Sequence, residues 1–339
     1  MKIAVVRNDH LGDLVLTTPL LKVLAKAGHE VTAIAPAAIS GILVENPSVA
    51  AIKNFEDIAP QFPKDWVALG AFFRKQKFDA ILLPYGYPRQ LLWASAMSGA
   101  KLRIALWSGV WGRLTGHNCL RSRIIEQPRP YAVILLELAR ALGLSTDISQ
   151  PEVFVTASER NHARGCLKER LGNVDVICIH PGSGGSACNL DSAQYEQAAV
   201  TLLKNTNLGI VVTGTRKEAS LVSKWPSEWK ESRRIWYAFG ELNIREFAAI
   251  LSQVQMVICP STGTLHLASA LGVRTVSPFC GRPGLCAKVW GAQATSSLAI
   301  ELPREKCEAH FSRTHTHCDF RGEITGRQLA LTALSQLGL

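Results

Sequence analysis

Ser261-Thr262-Gly263-Thr264-Leu265-His266 follows an apolar run at 256–259 and opens a helical pattern at 264–271. A strand that empties through hydroxyls and a glycine into a helix start suits an anion. The first N–H groups of a helix lack internal partners and carry the positive end of its dipole. Gly263 lets a ligand come close to the backbone. The same residues also describe an ordinary capped helix with His266 as a structural histidine, and this tract alone leaves both roles open. A second loop has similar chemistry. The apolar run 175–180 leads into Pro181-Gly182-Ser183-Gly184-Gly185-Ser186, where glycines permit backbone conformations closed to other residues and the hydroxyls of Ser183 and Ser186 can donate to phosphate oxygens. This loop lacks the Lys-Ser/Thr ending of a P-loop and the G-x-G-x-x-G dinucleotide spacing, so neither mechanism is supported.

A third junction differs in kind. The strand candidate 2–7 runs into Asn8-Asp9-His10-Leu11-Gly12-Asp13, placing two carboxylates, an imidazole and a glycine at a strand-to-helix turn. Asp13 there is either a general base, favoured in its charged form by the helix dipole, or simply an N-cap with Asp9 a solvated turn residue.

These loops need a scaffold that places them together. In the first half, strands are expected at 2–7, 30–35 and 80–84, and more weakly at 51–53. Helices are expected at 14–27, 63–75, 90–97 and 131–142. The second half repeats the alternation, with strands at 174–180, 209–214, 234–237, 256–259 and 275–279 and helices at 192–204, 244–252 and 264–271. The expectation is an α/β chain of two Rossmann-like halves with mostly parallel sheets, divided at residues 1–165 and 166–339, with 158–172 leading into the second. Ligands of open α/β sheets bind beyond the carboxyl ends of the strands, so all three loops are expected to face a central cleft. Pro19 falls within the first helix, where it is tolerated in the first turn and kinks the rod elsewhere.

With 339 residues, 47% hydrophobic and 19% charged, the chain can bury an ample core. No apolar stretch reaches the roughly 20 residues needed to cross a bilayer, and residues 1–7 are too short for a signal peptide, so a cytoplasmic protein is expected. The nine cysteines are odd in number and scattered, and several sit in apolar strands, which reads as reduced thiols. Cys307, His310, His315, His317 and Cys318 are metal-competent, but their spacing is not that of a familiar zinc finger. The segment is read as an irregular surface loop, and no metal is expected. A net charge of +10 points to acidic partners. Lys101, Arg103, Arg113, Arg121, Arg123 and Arg129 crowd one region beside Trp107 and Trp111, with Glu126 the lone acid. No nucleic-acid motif accompanies them. An anionic glycan, an anionic membrane surface or plain solvation accounts for the cluster equally well.

Taken together, Gly12-Asp13-Leu14-Val15-Leu16-Thr17-Thr18-Pro19, the His180-to-Ala187 loop and the Ser261-to-Ala268 tract resemble glycosyltransferase family 9, the lipopolysaccharide heptosyltransferases. The resemblance spans most of the chain. It implies a GT-B fold with an acceptor-binding first domain, a donor-binding second domain and metal-independent, inverting transfer from a nucleotide-diphosphate sugar, ADP-heptose above all. No cofactor beyond that co-substrate is implied. By position, Asp13 matches the family's catalytic base, and Ser261 to His266 match the tract that holds the diphosphate. Ser183, Gly184, Gly185 and Ser186 match the second donor loop. Glu218, four residues after Gly214, matches a position that bonds the ribose, and Leu242 falls where the base packs. Arg7, His10 and Gly12 would line the acceptor mouth, and Arg113, Arg121 and Arg123 would meet an anionic, lipid-linked acceptor at the inner face of the cytoplasmic membrane. Two departures stand out. Family members often carry Lys or Arg after the Gly-Ser loop, where this chain has Ala187-Cys188-Asn189, leaving Arg216, Lys217 or Arg282 to compensate. An acid often precedes the Thr-Gly pair, where this chain has Pro260-Ser261. The competing classes are a non-catalytic nucleotide-sugar or glycan binder, a transferase using another nucleotide sugar, and a nicotinamide oxidoreductase. The missing G-x-G-x-x-G argues against the last.

Overall fold

The apolar strand Lys2–Val6 (β1) is buried along Ile3 to Val6, as a strand covered on both faces must be. It lies in a six-stranded, wholly parallel sheet with Glu30–Ala35 (β2), Ala51–Asn54 (β3), Ala80–Leu83 (β4), Leu102–Leu106 (β5) and Asn118–Leu120 (β6), in the order β3-β2-β1-β4-β5-β6. A second parallel sheet holds Val176–Ile179 (β7), Gly209–Gly214 (β8), Ile235–Phe239 (β9), Met256–Ile258 (β10), Arg274–Cys280 (β11) and Ser297–Leu302 (β12), in the order β12-β11-β10-β7-β8-β9. Renumbered from their own first strands, both sheets have the 3-2-1-4-5-6 order of a dinucleotide-binding fold, so each half is Rossmann-like as expected. The computed structural model describes residues 1–121, 124–147, 150–185, 187–294, 296–310 and 318–339, and for His310 and Arg321 the backbone alone.

The chain divides into one unit of Met1–Arg123 with Arg129–Phe154 and another of Ile124–Pro128 with Val155–Leu339. The change of unit therefore falls before the helix Ala157–Leu171, not at residue 165 inside it. Thr156 and Glu159 close that helix's N-terminus with a reciprocal capping box, and Arg245 of the neighbouring helix Ile244–Leu251 grips Glu159, which fastens the helix to the second unit. The segment 101–129 also departs from the sequence reading. It contributes β5 and β6 to the first sheet, short strands whose charged and glycine-rich surroundings hide their periodicity.

The first helix, Leu11–Lys26, carries Pro19 beyond its first turn and buries almost every residue from Leu14 to Leu21. Proline removes the N–H that would have reached the carbonyl four residues back, on Val15. The Thr18 hydroxyl donates to that carbonyl at 2.7 Å and accepts from the Glu152 N–H at 3.0 Å. A buried backbone acceptor is thereby satisfied by the residue next to the one that orphaned it.

Buried polar groups in the first unit also set its response to acid. His117, 7% exposed, bonds Ser95 Oγ through Nε2 and Thr115 Oγ1 through Nδ1 at 2.9 Å. Burial, helped by the charge of Arg103, lowers its pKa from 6.5 to about 4. The folded chain thus binds this proton less readily than the unfolded one. Its stabilising effect is complete above pH 6.5 and is lost as pH falls from there through about 4. Between pH 7 and pH 5 this group should cost about 2 kcal/mol. Urea denaturation of His117→Gln should show a shallower loss over that range than the wild type. Parallel losses would remove His117 as the cause.

Candidate active site

In the second sheet, β7 and β10 are neighbours, with Ile179 opposite Ile258, and the His180 N–H donates to the Ile258 carbonyl at 2.9 Å. The loops after these two strands therefore start side by side where the strand order reverses. Thr262 occupies the N-cap position of the helix Gly263–Ala270 with extended backbone (φ −134°, ψ 179°), yet its side chain makes no capping bond. Its hydroxyl is buried without a hydrogen-bond partner among the described residues. An ordinary Thr cap would bond the N–H of the second or third helical residue, so that alternative fails here. Thr264, Leu265 and His266 are buried behind it, and Ser261 and Gly263 are half-buried.

The loop after β7 is organised by Glu218. Gly184 and Gly185 lie in the left-handed region at φ 55° and 76°. The Gly184 N–H donates to Glu218 Oε1 at 3.3 Å, while Glu218 Oε2 accepts from the backbone N–H and hydroxyl of Thr215 at 2.8 and 2.9 Å. A Cβ at Gly182 would stand 2.1 Å from Glu218 Oε1, and one at Gly214 would stand 2.7 Å from the Phe239 ring. A side chain at Gly182 would displace the Glu218 carboxyl, and one at Gly214 would push on the Phe239 ring. Burial works against the Glu218 charge, but the Thr215 bonds and nearby His180 outweigh it and hold the carboxyl below its ordinary range. His180 Nδ1 meets Thr213 Oγ1 at 2.9 Å, and burial lowers the imidazole pKa to about 4 against the pull of Glu218. Near neutral pH the pair is an anion beside a neutral imidazole. The carboxylate retains one lone-pair site, on Oε1, for a further donor. Sequence reasoning passed over His180 as a site residue, although its place at the end of a buried strand was a usable signal. Ser183 accepts from the Gly185 N–H at 3.3 Å, and Ser186 lies outside the described residues. Leu242 lines a different space, a cavity of about 630 Å³ shared with Trp236, His162 and Arg170, which none of the other described donor candidates lines. Arg216, Lys217 and Arg282 are all exposed.

In the first unit, β1 and β4 border the corresponding reversal of strand order, and the Asp9-to-Asp13 turn leaves β1 there. His10, not Asp13, holds the N-cap position of Leu11–Lys26, and Asp13 is the third residue of the helix. The N-cap alternative for Asp13 is thus replaced by a different arrangement. Arg7, 1% exposed, sends Nε to Asp9 Oδ1 at 2.9 Å and Nη2 to both Asp9 and Asp13, the latter at 3.0 Å. Asp9 is accordingly an ion-pair partner and not a solvated turn residue. Burial opposes the Arg7 charge, but Asp9, Tyr131 and Asp13 together hold its pKa above the ordinary value. Burial, reinforced by Asp13, raises Asp9 to about 6 despite Arg7. Arg7 was expected to line the acceptor mouth. Its guanidinium instead fixes two carboxylates, and Tyr131 joins them from a helix over a hundred residues away, beyond the reach of any local sequence signal. Gly12 is buried and His10 is exposed.

The basic region is not one surface. Arg103 is taken up by the carbonyls of Ala100 and Gly116, and Arg129 by Glu137. Arg113 and Arg121 are exposed, and Arg123 lies outside the described residues. Beside Arg113 the short helix Gly109–Leu114 presents Val110, Trp111 and Leu114 to solvent, 63%, 41% and 65% exposed, with the Arg89 guanidinium stacked 5.2 Å over Trp111. Among the described residues no helix is long and apolar enough to cross a membrane. Cys307 and Cys318, read as part of a surface loop, are buried; His315 and His317 lie outside the described residues, as does the side chain of His310.

Known proteins similar in sequence or fold agree with one another. A Haemophilus influenzae protein whose name places it among the glycosyltransferases is 26% identical over 287 residues, 81% of either chain. The structure of E. coli ADP-heptose lipopolysaccharide heptosyltransferase II superposes with a TM-score of 0.78 at 17% identity, covering 99% of this chain and 98% of that one. E. coli heptosyltransferase WaaC with ADP gives a TM-score of 0.66 at 14% identity, with coverage of 99% and 98%. These likenesses establish the GT-B fold. The model of glycosyltransferase family 9 (heptosyltransferase) matches residues 73–317, well over half of the chain. The chain belongs to glycosyltransferase family 9, and it is a glycosyltransferase.

Proposed function

We propose that this enzyme moves heptose from ADP-heptose onto a hydroxyl of an anionic, lipid-linked glycan such as the lipopolysaccharide core, with inversion and without a metal at the reacting atoms. The observation that carries this reading is the turn at Thr262: a hydroxyl that is buried without a partner among the described residues and does not cap the helix it precedes, beside a glycine loop braced by Glu218. Hydrogen-bond donors aimed at the leaving diphosphate take up its growing negative charge as the sugar–phosphate bond breaks. In that role they stand where a divalent cation would otherwise serve. Asp13 takes the proton of the acceptor hydroxyl as its oxygen attacks the anomeric carbon from the face opposite the leaving group. Arg7 holds the Asp13 carboxylate in place through a contact at 3.0 Å. Glu218 has one lone-pair site left, on Oε1, for a ribose hydroxyl.

The acceptor side is supported by the exposed cations Arg113 and Arg121 next to exposed Trp111 and Leu114. Arginine pairs with carboxylate and phosphate, and aromatic side chains settle at a membrane's headgroup level, so this face suits peripheral contact with the inner leaflet of the cytoplasmic membrane. Pro260-Ser261 and Cys188, where relatives often carry charged groups, favour a second reading with a different nucleotide.

Three measurements test these assignments. Asp13→Asn should lower kcat by about 10²–10⁴-fold while nucleotide affinity stays within a few-fold of wild type. A fully active variant would end the base assignment. In a thermal-shift screen of ADP, UDP and GDP, the ligand at about 100 times its Kd should add about 2.7 kcal/mol of stability. ADP should be the one that does so; a larger shift with UDP or GDP would establish the second reading. The Arg113→Ala/Arg121→Ala double variant should raise the acceptor KM and weaken binding to anionic vesicles without changing donor affinity. Unchanged acceptor kinetics would remove that face from the reaction.

A further inference from the structure

Four of the nine cysteines converge in the core of the second unit from four separate segments. Cys188 follows the glycine-rich loop, Cys280 ends β11, Cys307 sits in the helix Arg304–His310, and Cys318 precedes the short turn Phe320–Gly322. All four are buried, at 6%, 1%, 0% and 1% exposure. The sulfurs of Cys280, Cys307 and Cys318 lie within 4.8 Å of one another. Cys188 Sγ closes the group, in contact with the Cys280 thiol and accepting the Cys318 N–H at 3.4 Å. The Phe320 N–H in turn donates to Cys318 Sγ at 3.4 Å.

Buried thiols can serve as small apolar fillers, and isolated ones such as Cys178 and Cys259 do so here. Four sulfurs gathered into one group are a different object. Zinc–sulfur bonds of about 2.3 Å place the corners of a tetrahedron about 3.8 Å apart, close to the mutual spacing within 4.8 Å of Cys280, Cys307 and Cys318. Backbone N–H groups directed at sulfur are the outer partners that orient and stabilise thiolates around a metal. A disulfide joins sulfurs in pairs, whereas three mutually close sulfurs and a fourth against them suit a single central ion.

From this convergence we infer that Cys188, Cys280, Cys307 and Cys318 form a tetrathiolate site for one tetrahedral transition-metal ion, zinc or mononuclear iron. Binding releases the thiol protons to solvent and involves no change of oxidation state for zinc or ferrous iron. The ion is structural. It ties the segment just after the phosphate-type loop to the end of β11 and to the C-terminal part of the chain. Cys188, which stands where relatives often carry a cation, thus holds the loop from behind and does not touch phosphate.

The test uses the full chain expressed with zinc and iron supplied and purified without chelator. Elemental analysis should find about one zinc or iron per chain, the element found deciding between them. Cys188→Ser and Cys318→Ser should each lose most of that metal. Because either variant could also disturb folding, the wild-type protein is stripped and reloaded with Co²⁺, which should give the intense visible bands of tetrahedral thiolate coordination. Weak octahedral bands, a metal-free protein in which all nine cysteines titrate as thiols on denaturation, or a disulfide within the four would each overturn the site. None of these measurements depends on sugar transfer, so they stand or fall apart from the proposed reaction.

Discussion

A parallel sheet whose strand order reverses at its centre sends the chain to opposite faces from two neighbouring strands, and the loops beyond those strand ends cannot fill the space between them. Both sheets of this protein have that constraint, between β1 and β4 in one and between β7 and β10 in the other. Every candidate group of consequence leaves the sheet at or next to those strands: Asp13 after β1, the glycine loop after β7 and the Thr262 turn after β10. The hydrogen bond from His180 to Ile258 shows how tightly the second pair is joined before its loops part.

The two reversals are furnished with opposite electrostatics. In the first unit a buried guanidinium gathers two carboxylates and a tyrosine, so that charge is fixed by charge. Removing one partner of such a group leaves the others buried and uncompensated, which generally costs far more than the net worth of the pairing. In the second unit the polar groups are mainly backbone amides and hydroxyls around one carboxylate, and a neutral imidazole stands beside it. The first arrangement orients two carboxylates, as the proposed proton acceptor requires. The second leaves dipoles in place, which is what an incoming diphosphate needs.

Much of this was legible in the sequence. Strands β2 and β8 lie where their apolar runs put them, and the three loops stand at the strand-to-helix junctions expected of them. What escaped was whatever depends on distant contacts. β5 is apolar but short and set in a charged, glycine-containing stretch, β6 spans only three residues, and pairing with β4 and with each other reveals them. The N-cap falls at His10 because the helix begins at Leu11, ahead of the expected start at 14, and the contact of Asp13 with Arg7 is a side-chain geometry no spacing rule contains. Cys307 and Cys318 looked like one local cluster with their intervening histidines, while their actual neighbours, Cys188 and Cys280, are remote in sequence.

The close fit between Gly182 and Glu218 has a genealogical corollary. With hydrogen at one position and a long acid reaching into its place at the other, the two residues are a single steric decision. Descendants that gain a side chain at 182 must also shorten or turn aside the residue at 218, so a change at Gly182 should arrive together with one at Glu218, even though thirty-odd residues of chain separate them.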